Sequence, residues 1–265
     1  MTAPKQGKLL AVDIGNTNIT IGAFDRGNLL HQWRLSSQPF RTVDEYAVTL
    51  TQILQGAGFE ANRLILGSVV PPLEVEWERL ASVKLGLEVR IVHPTDPRLM
   101  PLSVDHPEEV GVDRVVDSWC ALQKFDAPLV VVDIGTATTF DVVGPDGDYQ
   151  GGIILPGLEL GAEALFRRTA LLPQVTVKKP PSVIGKNTVD CIRSGLYFGW
   201  LEMIQGLVSR VKAEFSGKVT VVTTGGLART FAEDWAFADC VEPNLTLEGL
   251  QLVDERWNDL RHGTT

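Results

Sequence analysis

Val12-Asp13-Ile14-Gly15-Asn16-Thr17-Asn18 is the stretch whose reading decides the fold. The apolar run Leu9-Leu10-Ala11-Val12 leads into it, and a second run from Ile19 to Phe24 leads out. Two β-rich segments around an Asn-Thr-Asn corner read as a hairpin. Gly15 carries no Cβ at the bend, so another group can approach the backbone closely. Asp13 closes a hydrophobic strand, where a carboxylate is costly without a partner. Asn16, Thr17 and Asn18 put amide and hydroxyl donors beside it. An acid suited to a hydrated metal ion, with donors on a bare backbone corner, fits a phosphate cradle. The same residues also fit an ordinary hairpin with a polar turn.

The pattern returns at Asp133-Ile134-Gly135-Thr136-Ala137-Thr138-Thr139, again after an apolar run, Leu129-Val130-Val131-Val132. The offset is 133 − 13 = 120 residues, with Asp, Ile and Gly in register and a later turn glycine repeated as Gly27 and Gly147. Two such strand-turn-strand units half a chain apart predict a duplicated domain and weaken the plain-hairpin reading.

The chain has 265 residues, 44% of them hydrophobic, enough for a large core in one or two domains. The net charge is 24 − 33 = −9, which argues against a nucleic-acid or anionic-membrane partner. Cys120, Cys191 and Cys240 are far apart and lack metal-ligand spacing, so isolated thiols in a reducing cytoplasm are expected. His31, His93, His106 and His262 form no cluster. The apolar run before Asp13 is too short for a signal peptide, and no stretch reaches the length of a membrane span.

Periodicity predicts three strands over 8–36, a helix over 43–56, a strand over 64–70 stopped by Pro71-Pro72, a helix over 75–85 and a strand over 89–92. A Pro-rich loop fills 93–110 and a helix runs over 112–125. The plan then repeats. Strands are expected at 129–134, 138–144 and 149–155, and a helix after Pro156-Gly157. A second Pro-rich loop at 170–187 precedes a long helix over 188–215. A strand at 219–223, a Gly225-Gly226 turn, a short helix over 227–232 and a helix over 245–260 complete the chain. Three strands followed by alternating helix and strand, twice, is an α/β duplicate. The expected division is 1–108 and 109–265.

The doubled Asp-x-Gly corner with a late Gly-Gly turn resembles the actin-like ATPase superfamily, which also holds sugar kinases. More narrowly, the chain resembles the type III pantothenate kinases. The motifs that carry this are Asp13 to Asn18, Gly111-Val112-Asp113-Arg114 and Asp133 to Thr139. Gly151-Gly152 with Pro156-Gly157, Thr169-Ala170-Leu171-Leu172-Pro173 and Ile184-Gly185-Lys186-Asn187-Thr188 follow in the family's order. The resemblance implies a fold of duplicated actin-like (ribonuclease H-like) domains, each a mixed sheet flanked by helices. It implies ATP-dependent phosphorylation of pantothenate to 4'-phosphopantothenate, the first step of coenzyme A biosynthesis. It further implies Mg2+ with ATP, a monovalent cation (K+ or NH4+) and a homodimer. The ATP-binding residues would be Asp13, Ile14, Gly15, Asn16, Thr17, Asn18, Ile19, Thr20 and Thr136. Gly111, Val112, Asp113, Arg114 and Thr188 would bind pantothenate, with Asp113 as the catalytic proton acceptor, and Asp133 would hold the cation. Many members carry a tyrosine in the loop before Gly-x-Asp-Arg. This chain has none between Tyr46 and Tyr149, and Met100 or Leu102 occupies that region, so that contact to pantothenate is not carried over. A catalytically idle ATP-binding regulator and another small-molecule kinase are the rival readings on the same fold.

Local chemistry leaves alternatives at each of these positions. Asp113 fits a base for the acceptor hydroxyl, and equally a first-turn helix acid. Arg114 offers a planar fork for a carboxylate, or a surface ion pair with Glu108 or Glu109. Asp133 fits a cation ligand, or a carboxylate satisfied by the hydroxyls of Thr136 and Thr138. Thr188 fits a substrate contact, a helix cap, or both. Gly225-Gly226 fits a backbone platform for adenine or a plain turn.

Overall fold

The computed structural model describes residues 7–38, 41–228, 234 and 237–262. The strands are β1 (Leu9–Ile14), β2 (Asn18–Asp25), β3 (Asn28–Ser36), β4 (Arg63–Ser68), β5 (Glu88–Val92), β6 (Leu129–Ile134), β7 (Ala137–Val143), β8 (Tyr149–Pro156), β9 (Thr220–Thr224) and β10 (Cys240–Val241). The helices are α1 (Val43–Ala57), α2 (Pro71–Arg79), α3 (Val112–Lys124), α4 (Leu158–Arg168), α5 (Thr188–Ala213) and α6 (Leu245–His262). Two compact units result: Met1–Gln123 with Asn244–Thr265, and Lys124–Pro243.

In the first unit the strand order is β3-β2-β1-β4-β5. β1, β2 and β3 are antiparallel neighbours, while β4 and β5 join parallel to β1. The β2–β3 turn has positive φ at Arg26 (51°) and Gly27 (78°), the geometry of a tight two-residue hairpin turn. Both faces of this sheet are covered, which is why β1 and β4 read as nearly continuous apolar runs. One face packs Leu10, Val12, Ile14, Leu64 and Leu66 against Tyr46 and Leu50 of α1 and Trp77 of α2. Thr42 and Glu45 close a capping box at the start of α1, and Gly58 ends it in the left-handed conformation. The other face receives α6. A Cβ built on Gly22 would lie 3.1 Å from Leu247 Cδ1, and one on Gly67 would lie 3.4 Å from Leu250 Cδ2. Farther along α6, buried Asp254 accepts hydrogen bonds from Arg63 (2.9 Å) and Arg90 (2.6 Å).

In the second unit the order is β8-β7-β6-β9-β10, the same plan with the same antiparallel and parallel pairings. Tyr197, Trp200, Ile204, Val208 and Val211, spaced three and four apart on α5, cover Val130, Val132 and Ile134 of β6.

Three features differ from the sequence expectation. α2 begins at Pro71, four residues before the expected start, because the first turn of a helix needs no N–H from proline. It continues through a single π-helical turn, Leu80–Lys84. β10 was not expected, since two residues display no period. The compact units are not the linear halves 1–108 and 109–265, because α6 returns to the first sheet. The short helix expected over 227–232 runs into residues outside those described.

Candidate active site

The first corner is built by β1 and β2. Gly15 N–H donates to the Asn18 carbonyl at 2.9 Å and closes the turn. Asp13 sits half-buried at the end of β1, facing Thr20 on β2 and Gly67 on β4. Asn16 and Thr17 are exposed at the tip. Ile14 and Ile19 are fully buried core residues, so the corner presents their backbone and not their side chains.

The next strand over brings the second group. Val69 N–H donates to the Ile14 carbonyl at 3.0 Å, extending β4 alongside the corner. A Cβ on Gly111 would lie 3.5 Å from Val69 Cγ1, and one on Gly67 would lie 3.6 Å from Val112 Cγ1. Gly111-Val112-Asp113-Arg114, the entry to α3, therefore rests on the carboxyl end of β4, beside the strand that ends in Asp13. Ligand sites of open α/β sheets gather at such strand ends. Val112 is buried, so it anchors this segment to the core.

Asp113 turns its carboxylate back onto the helix start. Oδ1 accepts the Arg114 N–H at 2.8 Å, and a Cβ on Gly111 would lie only 2.5 Å from that oxygen. Glycine at 111 is what leaves room for the carboxylate. Asp113 as a residue is half-buried, but this folded-back carboxyl is its desolvated part, and burial pushes its pKa above the usual aspartate range. The Arg114 N–H and guanidinium pull the other way with smaller effect. Asp113 is thus a first-turn helix acid whose carboxyl is desolvated.

In the second unit Gly135 N–H donates to the Ala137 carbonyl at 3.0 Å, closing the second corner, and Thr136 is exposed at its tip. Asp133 faces Thr139 on β7 and Thr224 on β9. The sequence reading of Gly225 as a turn understates it. Gly225 has φ +97°, and a Cβ there would lie 2.3 Å from Asp133 Oδ1 and 2.5 Å from both N and O of Ile134. The glycine backbone is packed directly on the Asp133 carboxylate. Thr138 is buried with no hydrogen-bond partner for Oγ1, so it is not the hydroxyl that satisfies Asp133.

Thr188 is the first residue of α5 and is exposed. It does not cap the helix. Asn187 does, accepting the Asp190 N–H at 2.9 Å and donating to Asp190 Oδ2 at 2.7 Å. The sequence reading passed over Asn187 because a cap is set by φ and ψ, which neither candidate displays in its name.

Two further residues close on the corners, Ser37, which the sequence reading does not single out, and Gly157, which it names only within a motif. Ser37, just after β3, donates its hydroxyl to the Gly15 carbonyl (2.5 Å) and its N–H to the Thr17 carbonyl (2.9 Å). Gly157, just after β8, donates its N–H to the Thr136 carbonyl at 3.0 Å, and a Cβ there would lie 2.3 Å from that oxygen.

Of the sequence-predicted residues, Asp13 to Thr20 and Gly111 to Arg114 lie in the first unit, and Asp133, Thr136 and Thr188 in the second. Among the described residues no three His, Cys, Asp or Glu side chains gather as a metal cage. The carboxylates of Asp13 and Asp133 are hard oxygen donors, the kind that suits cations which keep most of their shell in water and phosphate.

A family model described as type III pantothenate kinase matches residues 9–210. A curated type III pantothenate kinase from Geobacter sulfurreducens is 41% identical over 251 residues, 94% of this chain and 98% of that protein. The chain also superposes on MreB 5 of Spiroplasma citri bound to AMPPNP, with TM-score 0.56 at 11% identity, covering 99% of this chain and 100% of that one. An inorganic polyphosphate/ATP-glucomannokinase from Arthrobacter gives TM-score 0.50 at 14% identity, covering 95% and 100%. These two likenesses bear on the fold alone, the duplicated α/β plan of actin-like proteins and sugar kinases.

Proposed function

Because the chain belongs to the type III pantothenate kinase family, we propose that it transfers the γ-phosphoryl group of ATP to the primary hydroxyl of pantothenate, opening coenzyme A biosynthesis, with Asp113 as proton acceptor. The observation that carries the residue assignment is the desolvated Asp113 carboxylate on the carboxyl end of β4, next to the strand ending in Asp13.

The reaction forms a bond between the pantothenate oxygen and the γ-phosphorus and breaks the one to the β–γ bridging oxygen, releasing ADP. Proton transfer from the attacking hydroxyl goes to the Asp113 carboxylate. Arg114 supplies a planar fork for the pantothenate carboxylate, and Thr188 a hydroxyl toward the same substrate. The corner from Asp13 to Thr20 is assigned to the ATP phosphates, and the family motif assigns Thr136 to ATP as well. Asp13 is the residue that would hold Mg2+ accompanying ATP, and the ion would supply neutralisation of phosphate charge. Asp133, a carboxylate near the end of an apolar strand, is the residue that would hold K+ or NH4+, and the ion would supply extra positive charge. Equal turnover in sodium-only and potassium buffers would remove the cation from the scheme.

The second unit exposes Ile154 on β8, Leu160, Leu165 and Phe166 on α4, and Leu171 and Met203 nearby in sequence and on α5. Membership of the family supports a homodimer, for which these side chains are candidate contacts, and a monomeric, fully active protein at micromolar concentration would refute it. No helix among the described residues is long and apolar enough to cross a membrane, and the three free cysteines fit a reducing cytoplasm. The test of function is ADP release coupled to an optical readout, with pantothenate and with a panel of other small alcohols. Release that depends on pantothenate is expected. Release indifferent to pantothenate, or none, would reject the reading.

A further inference from the structure

We propose that Ser37 is a positioning residue for the ATP-phosphate corner, fixing its carbonyl groups so that the corner meets an anion with donors. The inference rests on the assignment of Asp13 to Thr20 to the phosphates.

A backbone corner that binds phosphate has a difficulty built in. Each peptide offers an N–H that attracts the anion and a carbonyl oxygen that repels it. The corner works only if its carbonyls are held by other donors. Ile14 O accepts the Val69 N–H (3.0 Å) and Asn18 O accepts the Gly15 N–H (2.9 Å). Two more carbonyls at the bend, Gly15 O and Thr17 O, which flank Asn16, are both taken by Ser37, the first through its hydroxyl and the second through its N–H. One residue thus holds two of the four carbonyls just named.

Ser37 is itself held in place. Gln38 N–H donates to the Tyr46 hydroxyl at 3.0 Å, and that hydroxyl donates to Ser36 O at 3.2 Å. Tyr46 is fully buried on α1, its ring 5.5 Å from that of Trp77. Both neighbours of Ser37 are therefore tied to one core side chain, so its two donors need little further ordering when a ligand arrives.

The second unit supports the same reading by a different residue. There the residue after the third strand is Gly157, whose N–H donates to Thr136 O as Ser37 N–H does to Thr17 O. A side chain is impossible at 157, since its Cβ would lie 2.3 Å from Thr136 O and 2.5 Å from Gly135 O. The backbone bond is common to both corners, and the hydroxyl bond to Gly15 O is particular to the first.

The test measures the affinity of a non-hydrolysable ATP analogue with Mg2+ by calorimetry, and KM for ATP and for pantothenate. The variants are Ser37→Ala, Ser37→Thr and Asp13→Asn. Loss of one net hydrogen bond should weaken the analogue about 2- to 13-fold in Ser37→Ala. Ser37→Thr keeps a hydroxyl and should bind near wild type, and KM for pantothenate should stay within about twofold in both. Ser37→Ala binding like wild type while Asp13→Asn binds weakly would overturn the proposal and leave the corner assignment standing. Equal losses toward ATP and pantothenate, or no recovery in Ser37→Thr, would show a merely structural serine and also overturn it. If Asp13→Asn and Ser37→Ala both left the analogue unaffected, the corner assignment itself would fall, and this proposal with it.

Discussion

Replacing Asp113 by asparagine separates what its carboxylate does for the reaction from what it does for the fold. The amide is nearly isosteric and keeps an oxygen for the Arg114 N–H, now accepted at 2.8 Å, so the entry to α3 should hold its shape. The catalytic loss is large, because an amide does not take up the hydroxyl proton. A positioned general base contributes about 10²–10⁴-fold, so turnover should fall by that factor, about 3–5 kcal/mol in activation free energy. Stability should move in the opposite direction. Burial raises the Asp113 pKa above its unfolded value, so the folded protein binds its proton more tightly than the unfolded chain does. Stability therefore falls as pH rises from the ordinary aspartate range through the folded pKa. Asn carries no charge, so Asp113→Asn should melt higher than wild type at pH 7, with the gap narrowing as pH is lowered. Steady-state kinetics, analogue titration and thermal melts at several pH values make the measurement. Near wild-type turnover would refute the base assignment. A lower melting temperature at pH 7 would refute the claim that burial burdens this carboxylate.

Three further outcomes follow from the same structure. The acid limb of kcat/KM against pH should fall above the ordinary aspartate range, since the active form of Asp113 is ionised and its pKa is raised; a limb at the ordinary range would contradict this. Gly225→Ala should cost about 2–5 kcal/mol by denaturant unfolding, combining left-handed backbone strain at φ +97° with an overlap against Ile134 backbone that cannot swing aside; a neutral result would mean the turn is mobile. Asp254→Ala should cost about 3–5 kcal/mol, because it takes the buried carboxylate from the buried Arg90, left with Glu88 and Asn258, and from the part-buried Arg63; a change below about 1 kcal/mol would mean water replaces it.

The order of elements was legible because burial writes itself as a period. β1 and β6 are covered on both faces and read as unbroken apolar runs, while α1 and α3 show apolar residues at helical spacing. Where a boundary depends on a residue with two uses, the reading shifts. Pro71 both ends the stretch after β4 and starts α2, and only the backbone conformation decides. The return of α6 to the first sheet was illegible for a different reason. Its partners, Gly22, Gly67 and the arginines Arg63 and Arg90, lie more than 150 residues upstream, and no local period encodes that contact.

The candidate site divides along the same line. Asp13 and Asp133 stand out in the sequence because a carboxylate closing an apolar run is chemically conspicuous, whereas Asp113 is picked out by its family motif. Ser37 does not stand out, because a serine in a polar loop is ordinary until its two carbonyl partners, some twenty residues upstream, are known. Gly225 and Gly157 were legible as turns, yet their reason for being glycine is a neighbour, the Asp133 carboxylate in one case and the Thr136 carbonyl in the other. The duplicated unit is accordingly longer than its visible motif. Asp-Ile-Gly marks the corner in both copies, but each corner is closed by the residue that leaves the third strand, Ser37 after Ser36 in one and Gly157 after Pro156 in the other. The two copies share no side chain there, only an N–H aimed at a carbonyl. What the duplication kept is thus a backbone hydrogen bond, which any residue but proline can supply, and what differs is the side chain added to it. A hydroxyl fits beside the first corner and nothing fits beside the second.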